Sequence, residues 1–299
     1  MSTVEAMTTP AGAIDAATDI GLLSLTVADI ERSLEFYTHA IGFGVIQQTP
    51  GRALLGVGGA PLLELIERPG ARSWPVSATG LYHFAILVPT REALGKWLRN
   101  WLDLGLPMPG QGDHLVSEAL YLNDPDGNGI EVYRDRPRSD WTWDGGHVRM
   151  ATDPVDIRGV LAAGDRDGVP FDGLEPGTRI GHMHLQVGDI PAARAFYHDV
   201  LGFDIVAEMP TALFLSAGGY HHHIGANIWH SRGRGPAPED VAGLRYFTIT
   251  QPTESARNQV LARLAAAGHS YEATPAGVVT YDPWQNRILL QVGPAQVAA

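Results

Sequence analysis

The chain contains no cysteine, so a metal site in it must be built from imidazole nitrogens and carboxylate or other oxygens. Its 12 histidines include several in strand-like segments where side-chain direction can be read. Alternation sets His83 beside Ala85 and Leu87 on one face, while Phe84, Ile86 and Val88 turn the other way into a helix-packed core. The same rule gives His182 and His184 one face and places Glu131 with Tyr133 on another. Two imidazoles and one carboxylate, such as His83, His182 and Glu131, form the donor set that binds Fe(II) on one side and leaves open positions; Mn(II) accepts the same set. Singly, each residue argues little. A lone strand His is more often a hydrogen-bonded core or surface group, and a Glu beside a Tyr is usually solvated.

The elements that must position these groups repeat along the chain. Ile20-Gly21, Asp29-Ile30, Phe36-Tyr37 and Ile41-Gly42-Phe43 recur as Ile180-Gly181, Asp189-Ile190, Phe196-Tyr197 and Leu201-Gly202-Phe203. Each copy reads as a strand, an Asp that caps a helix, an amphipathic helix with an aromatic pair, then Gly and further strands. Two more copies begin at Gly80-Leu81 and Gly243-Leu244, and both end in an Asp-Pro turn, at Asp124-Pro125 and Asp282-Pro283. The pattern predicts an α+β fold of four βαβββ modules. Modules 1 and 2 fill residues 18–135 as a first domain, and modules 3 and 4 fill 179–299 as a second. Residues 136–178 hold Pro, Gly, Asp and Trp without periodicity and read as a connection, pieces of which cover a pocket. Residues 1–17 read as a loose tail with neither a basic start nor a long apolar run.

Long runs carry a resemblance: GLYHFAILVP (80–89), GDHLVSEALYLNDPDGNGIEVYRDRP (112–137) and LFLSAGGYHHHIGANIW (213–229). With the fourfold layout they are similar to the vicinal oxygen chelate superfamily of glyoxalases, bleomycin-resistance proteins and extradiol dioxygenases. Within it they resemble the catechol 2,3-dioxygenase group of two-domain bacterial proteins. The resemblance implies paired modules curved into half-barrels, with metal ligands on the first strand of each module and the last strand of one. Aligned first strands put Leu22, His83, His182 and Tyr246 at one position, and Leu289 of module 4 falls where module 2 has Glu131. Only modules 2 and 3 offer imidazole there. His83, His182 and Glu131 are therefore the expected ligands of one Fe(II), with modules 2 and 3 paired around it and modules 1 and 4 forming an empty half-barrel.

The same resemblance implies roles around the ion. His222, in the triple His221-His222-His223 after Gly218-Gly219, stands where extradiol enzymes carry a histidine near bound oxygen. His221 and His223 fit a solvent-exposed hairpin rim almost as well, since alternation turns them from the face of His222. His114 matches an acid-base histidine and equally a surface one, its loop differing in length from the pattern. Tyr121 matches a tyrosine that donates to metal-bound oxygens. The segment from Asp124 to Asn128 reads as a β-turn without chemistry.

Composition excludes other classes. A formal net charge of -12 repels phosphate backbones and anionic lipid, so neither nucleic acid nor membrane is an expected partner. No stretch is apolar enough to span a bilayer. The absence of cysteine fits a reducing cytoplasm. The reading is an Fe(II) extradiol dioxygenase taking a small aromatic diol and O2, with homo-oligomerisation left open. A glyoxalase-like metalloenzyme, which commonly needs four protein donors, and a non-catalytic aromatic or antibiotic binder, which needs none, are the alternatives.

Overall fold

The computed structural model describes residues 12–293. Module 1 runs β1 (Asp19–Val27), α1 (Ile30–Glu35), β2 (Gly44–Thr49), β3 (Arg52–Val57) and β4 (Ala60–Glu67). Module 2 runs β5 (Gly80–Leu87), α2 (Arg91–Asp103), β6 (Gly110–Asp113), β7 (Ser117–Asn123) and β8 (Gly129–Asp135). The connection carries β9 (Trp143–Asp144), β10 (His147–Val148) and α3 (Ile157–Gly164). Module 3 runs β11 (Arg179–Gln186), α4 (Ile190–Arg194), β12 (Asp204–Met209), β13 (Ala212–Ser216) and β14 (Ile224–Asn227). Module 4 runs β15 (Gly243–Gln251), α5 (Glu254–Ala266), β16 (Tyr271–Thr274), β17 (Gly277–Tyr281) and β18 (Arg287–Val292). Four βαβββ modules are present, as the repeats require.

Sheet membership ignores chain halves. One eight-stranded sheet has the order β12-β13-β14-β11-β5-β8-β7-β6 and joins modules 3 and 2; the other, β16-β17-β18-β15-β1-β4-β3-β2, joins modules 4 and 1. In each, the first strands of two modules pair antiparallel at the centre, β5 with β11 and β1 with β15. Leu23 and Leu25 of β1, Phe84 and Ile86 of β5, and Trp97 of α2 belong to one continuous buried cluster. The alternation read from the sequence therefore holds for these strand residues, whose neighbours face the opposite side of the sheet, and it breaks at Tyr82, which joins His83 at the cavity.

Local chemistry fixes the helices and binds the sheets together. Asp29 and Asp189 cap α1 and α4 by accepting from the backbone N–H three residues on. Both helices continue as wider π turns, Phe36–Ile41 and Ala195–Val200, which deliver Tyr37 and Tyr197 into the core. Tyr37 donates to Asp124 (2.8 Å) and Tyr197 to Asp282 (2.9 Å), so each repeated Phe-Tyr pair is tied to the Asp-Pro turn of the next module, in the other sheet.

Two expectations are corrected. The connection is not devoid of regular structure: Asp156 caps α3, which packs Val160 and Ala163 inward against α2. Gly95 and Gly164 let those helices touch, since a Cβ on Gly95 would lie 2.2 Å from the Val160 carbonyl oxygen. The tail is not loose throughout, because Ile14 is buried and its N–H bonds Gly202 O at 2.8 Å. Residues 1–11 of the predicted tail lie outside the described residues.

Candidate metal centre

Three buried side chains converge where β5, β8 and β11 meet. Ala85 pairs with both Glu131 and His182, which brings those two donors to one level of the sheet, and His83 lies two residues before Ala85 on the same strand, opposite His184. The pairing of β5 with β11 shifts register between His184 and Leu185, and such irregularities re-aim side chains next to sites. His83 Nε2 lies 3.0 Å from Glu131 Oε2, His182 Nε2 lies 3.1 Å from the same oxygen, and the two Nε2 atoms are 3.3 Å apart. Among the described residues this is the one group of three or more His, Cys, Asp or Glu side chains able to hold a metal ion.

The triangle has the size a cation needs. Bonds of about 2.1 Å from one ion place neighbouring donors about 3.0 Å apart at octahedral angles and about 3.4 Å apart at tetrahedral ones. The observed edges of 3.0, 3.1 and 3.3 Å match one face of an octahedron better, which leaves the opposite face free. Electrostatics point the same way. Burial disfavours ionised Glu131, yet His182 and His83 outweigh it and hold the carboxyl well below the usual range. Burial draws His182 down to about 4, so at neutral pH it is uncharged. An ionised Glu131 buried beside uncharged His182 favours a positive partner, and a divalent ion at the triangle would supply one.

The groups open onto a cavity of about 750 Å³ lined by His83, Tyr121, Glu131, Phe214, His222 and Trp229, among others, a size typical of small-molecule sites. Met150, Ala151 and Thr152 of the connection form part of its wall. The His222 ring packs against the ring of His182, centroids 4.1 Å apart and tilted by 45°. Burial, followed by neighbouring His182 and His221, keeps His222 well below the usual imidazole range.

His114 also faces the cavity rather than bulk solvent. Its Nδ1 lies 2.7 Å from Ala151 O and its Nε2 lies 2.6 Å from Tyr121 Oη. A carbonyl only accepts, so Nδ1 carries the hydrogen and Nε2 of the neutral ring receives the Tyr121 O–H. Burial, with Glu131 close by, holds Tyr121 well above its ordinary value, so it remains a hydroxyl.

The solvent-exposed rim suggested for His221 and His223 is not found. Both are buried, at 1% and 5% exposure. They lie in the β13–β14 loop and not in a strand, so alternation does not govern them. His223 Nδ1 accepts from Ala217 N at 3.1 Å and serves the loop itself. His184, on the same face as His182, is held by Asn227 at 3.0 Å and packs on His83, centroids 4.8 Å apart. Tyr82 and Trp229 complete an aromatic wall around it. Sequence reasoning missed this wall, because Tyr82 neighbours His83 and alternation assigns it to the other face. The Asp124 turn is structural: Asp124 accepts from the backbone of Asp126 and Asn128 and from the Asn128 amide.

Comparison with known proteins agrees with this architecture. The chain matches the family model of the Glyoxalase/Bleomycin resistance protein/Dioxygenase superfamily over residues 19–132 and 179–288. It is 48% identical over 274 residues to a protein of Bacillus subtilis (strain 168) called catechol-2,3-dioxygenase, covering 89% of this chain and 94% of that one. A trivalent organoarsenical cleaving enzyme of Thermomonospora curvata is 31% identical over 116 residues, 37% of this chain and 74% of its own. Among solved structures, a putative dioxygenase from Bacillus subtilis superposes with a TM-score of 0.65 at 13% identity, covering 94% of this chain and 87% of its own. Glyoxalase I from Zea mays superposes with a TM-score of 0.55 at 18% identity, covering 91% and 92%. At such identities the two structures speak for fold alone, but the matched model spans most of the sequence: the chain belongs to the glyoxalase/bleomycin resistance protein/dioxygenase superfamily.

Proposed function

We propose that this protein is an Fe(II)-dependent extradiol dioxygenase, which adds both atoms of O2 to a catecholic ring and breaks a ring C–C bond beside the hydroxyls. The observation that carries the reading is the triangle of His83, His182 and Glu131 with one open side, set in a roomy aromatic-walled cavity. The extensive identity to a protein called catechol-2,3-dioxygenase supports it. Among the described residues, three His, Asp, Glu or Cys donors converge here, one fewer than the four protein donors a glyoxalase-like centre commonly uses.

In this reading His83, His182 and Glu131 hold the ion, which when bound supplies Lewis acidity toward the catechol oxygens and a place for O2. The remaining work falls to the chain. Phe214 and Trp229 present flat apolar surface to the ring and keep water from it. His222 stands beside the ligand His182 and accepts a hydrogen bond from a substrate hydroxyl. Tyr121 and His114 hold one hydrogen between them. Turning the Tyr121 O–H toward substrate offers a donor to oxygen that gains charge and leaves His114 Nε2 as an acceptor. The reaction balances without an outside reductant, because both oxygen atoms remain in the product.

Anaerobic loading with Fe(II), addition of catechol and then of air should give the yellow ring-opened product. Loading with Mn(II) in parallel decides which ion supports turnover. His182→Ala should lose both bound iron and colour; a variant retaining both rules out His182 as a ligand. Stoichiometric catechol binding without iron or turnover in the wild type would instead establish a binding protein.

A further inference from the structure

A second histidine, at the cavity wall beside His222, and a carboxylate behind it form a row with His222. His221 Nδ1 lies 2.8 Å from His222 Nδ1, and His221 Nε2 lies 2.9 Å from Asp135 Oδ1. Asp135 closes β8, the strand that carries Glu131, and its side chain is 23% exposed. The His221 ring packs against Tyr220 and Trp141, with centroids at 4.2 and 5.3 Å, and its two hydrogen-bond partners set which way its nitrogens point.

Hydrogen placement in this row follows from elementary rules. Two facing ring nitrogens share a single hydrogen. A carboxylate is acceptor-only, so His221 meets Asp135 with the hydrogen on Nε2, and a ring that carries one hydrogen there presents a bare lone pair at Nδ1. The shared hydrogen must then belong to His222 Nδ1, and the Nε2 of His222 is left without one. That nitrogen belongs to a ring lining the cavity. A residue at the protein surface thereby dictates the hydrogen-bonding polarity of a residue at the reaction site, much as a buried aspartate fixes a catalytic imidazole in the Ser-His-Asp arrangement.

We propose that Asp135 and His221 are positioning residues that fix the tautomer of His222, so that its Nε2 meets the substrate as an acceptor and not as a donor. The inference deepens the dioxygenase reading and, for its catalytic consequence, rests on it. Removing the carboxylate charge at position 135 removes what pins the hydrogen to His221 Nε2. An Asn there offers a donor that reverses the row, and an Ala leaves it undirected; in both, His222 Nε2 carries hydrogen in a large share of molecules and repels an incoming O–H. Glu at that position keeps the direction.

The test compares wild type with D135N, D135A and D135E. Nitrogen-15 spectra of the histidine rings in metal-free protein, with the His222 signals identified by their loss in H222Q, report which nitrogen bears hydrogen. His222 Nε2 should be bare in wild type and D135E, and hydrogen-bearing, wholly or in part, in D135N and D135A. With Fe(II) loaded, kcat for catechol should fall on the order of 10²-fold in D135N and D135A. KM and iron content should stay near wild type, and D135E should recover most of the rate. A merely structural Asp135 would lower stability without moving the tautomer. Hydrogen on His222 Nε2 in wild type, or unchanged spectra in D135N and D135A, overturns the proposal. If iron-loaded wild type opens no catechol, the dioxygenase reading fails, and the spectra still decide the tautomer assignment.

Discussion

Gly181 precedes His182 in β11 and offers a quantitative test of how tightly the site is built. A Cβ there would stand 1.8 Å from Tyr133 Oη, 2.8 Å from Tyr133 Cζ and 3.1 Å from Leu87 Cβ. Tyr133 has nowhere to go: it is fully buried, its hydroxyl is 2.7 Å from that of Tyr220, and its ring packs on His182 with centroids 5.0 Å apart. Gly181→Ala therefore forces overpacking, about 1–3 kcal/mol, and separates a buried hydroxyl pair, a further 1–3 kcal/mol or so. The expected loss is about 2–6 kcal/mol. Tyr133→Phe alone leaves the Tyr220 hydroxyl without its partner but deletes the nearest clashing atom, so that the next contact is at 2.8 Å. In that background a ring movement of a few tenths of an ångström accommodates the methyl group. The double variant should thus be at least about 1 kcal/mol more stable than the sum of the single losses. Urea unfolding of the four metal-free proteins measures the cycle, and iron bound per folded chain reports whether His182 has moved. Additive losses, or a Gly181→Ala variant within about 0.5 kcal/mol of wild type, would refute the argument that Gly181 exists to admit the Tyr133 hydroxyl.

Two further outcomes follow from neighbouring groups. Tyr121→Phe removes the hydroxyl bonded to His114 and should lower kcat on the order of 10²-fold while iron content is retained; full activity would remove Tyr121 from the chemistry. Glu118 is buried, and although burial opposes its ionisation, Arg91 and Arg134 hold its carboxyl below the usual value. A carboxyl lowered by folding contributes stability above its unfolded pKa of about 4.3, and this is lost as pH falls through the lower folded value. Glu118→Gln should cost roughly 2–4 kcal/mol at pH 7, with the gap to wild type closing below about pH 4. A gap that does not change with pH, measured by urea unfolding, contradicts the assignment.

What the sequence disclosed depended on whether a residue obeyed a periodic rule. The fourfold repeat and the inward face of the first strands were legible, because strand period and helix capping are local. The partnership between the repeated Phe-Tyr pairs and the repeated Asp-Pro turns was visible only as two separate recurrences; each hydrogen bond crosses about 85 residues, 87 for Tyr37 and Asp124 and 85 for Tyr197 and Asp282. The β13–β14 loop was misread for the opposite reason. Its histidines are consecutive, but they follow Gly218 and Gly219, whose φ values of 59° and 67° turn the chain out of extended geometry. Past that turn, parity carries no information. The contact of Asp135 with His221 leaves no signal in the sequence, because strand alternation turns His221 away from His222.

The contrast between the two sheets shows why, among the described residues, only one of them offers a candidate metal centre. Glu64 in the 1–4 sheet is also a buried carboxylate on a central ladder, paired with Ser24 across β1 and β4. It is compensated internally: Arg52 approaches to 2.6 Å and the Tyr246 hydroxyl donates at 3.2 Å. Leu289 faces Thr248 across the ladder, as Glu131 faces Ala85 in the 2–3 sheet. A guanidinium therefore supplies in one sheet the positive charge that Glu131 lacks in the other, where its nearest polar neighbours are the imidazoles of His83 and His182. The 1–4 sheet pairs its buried carboxylate with a guanidinium of its own, whereas the 2–3 sheet offers Glu131 two imidazoles, the donor set proposed to hold a cation.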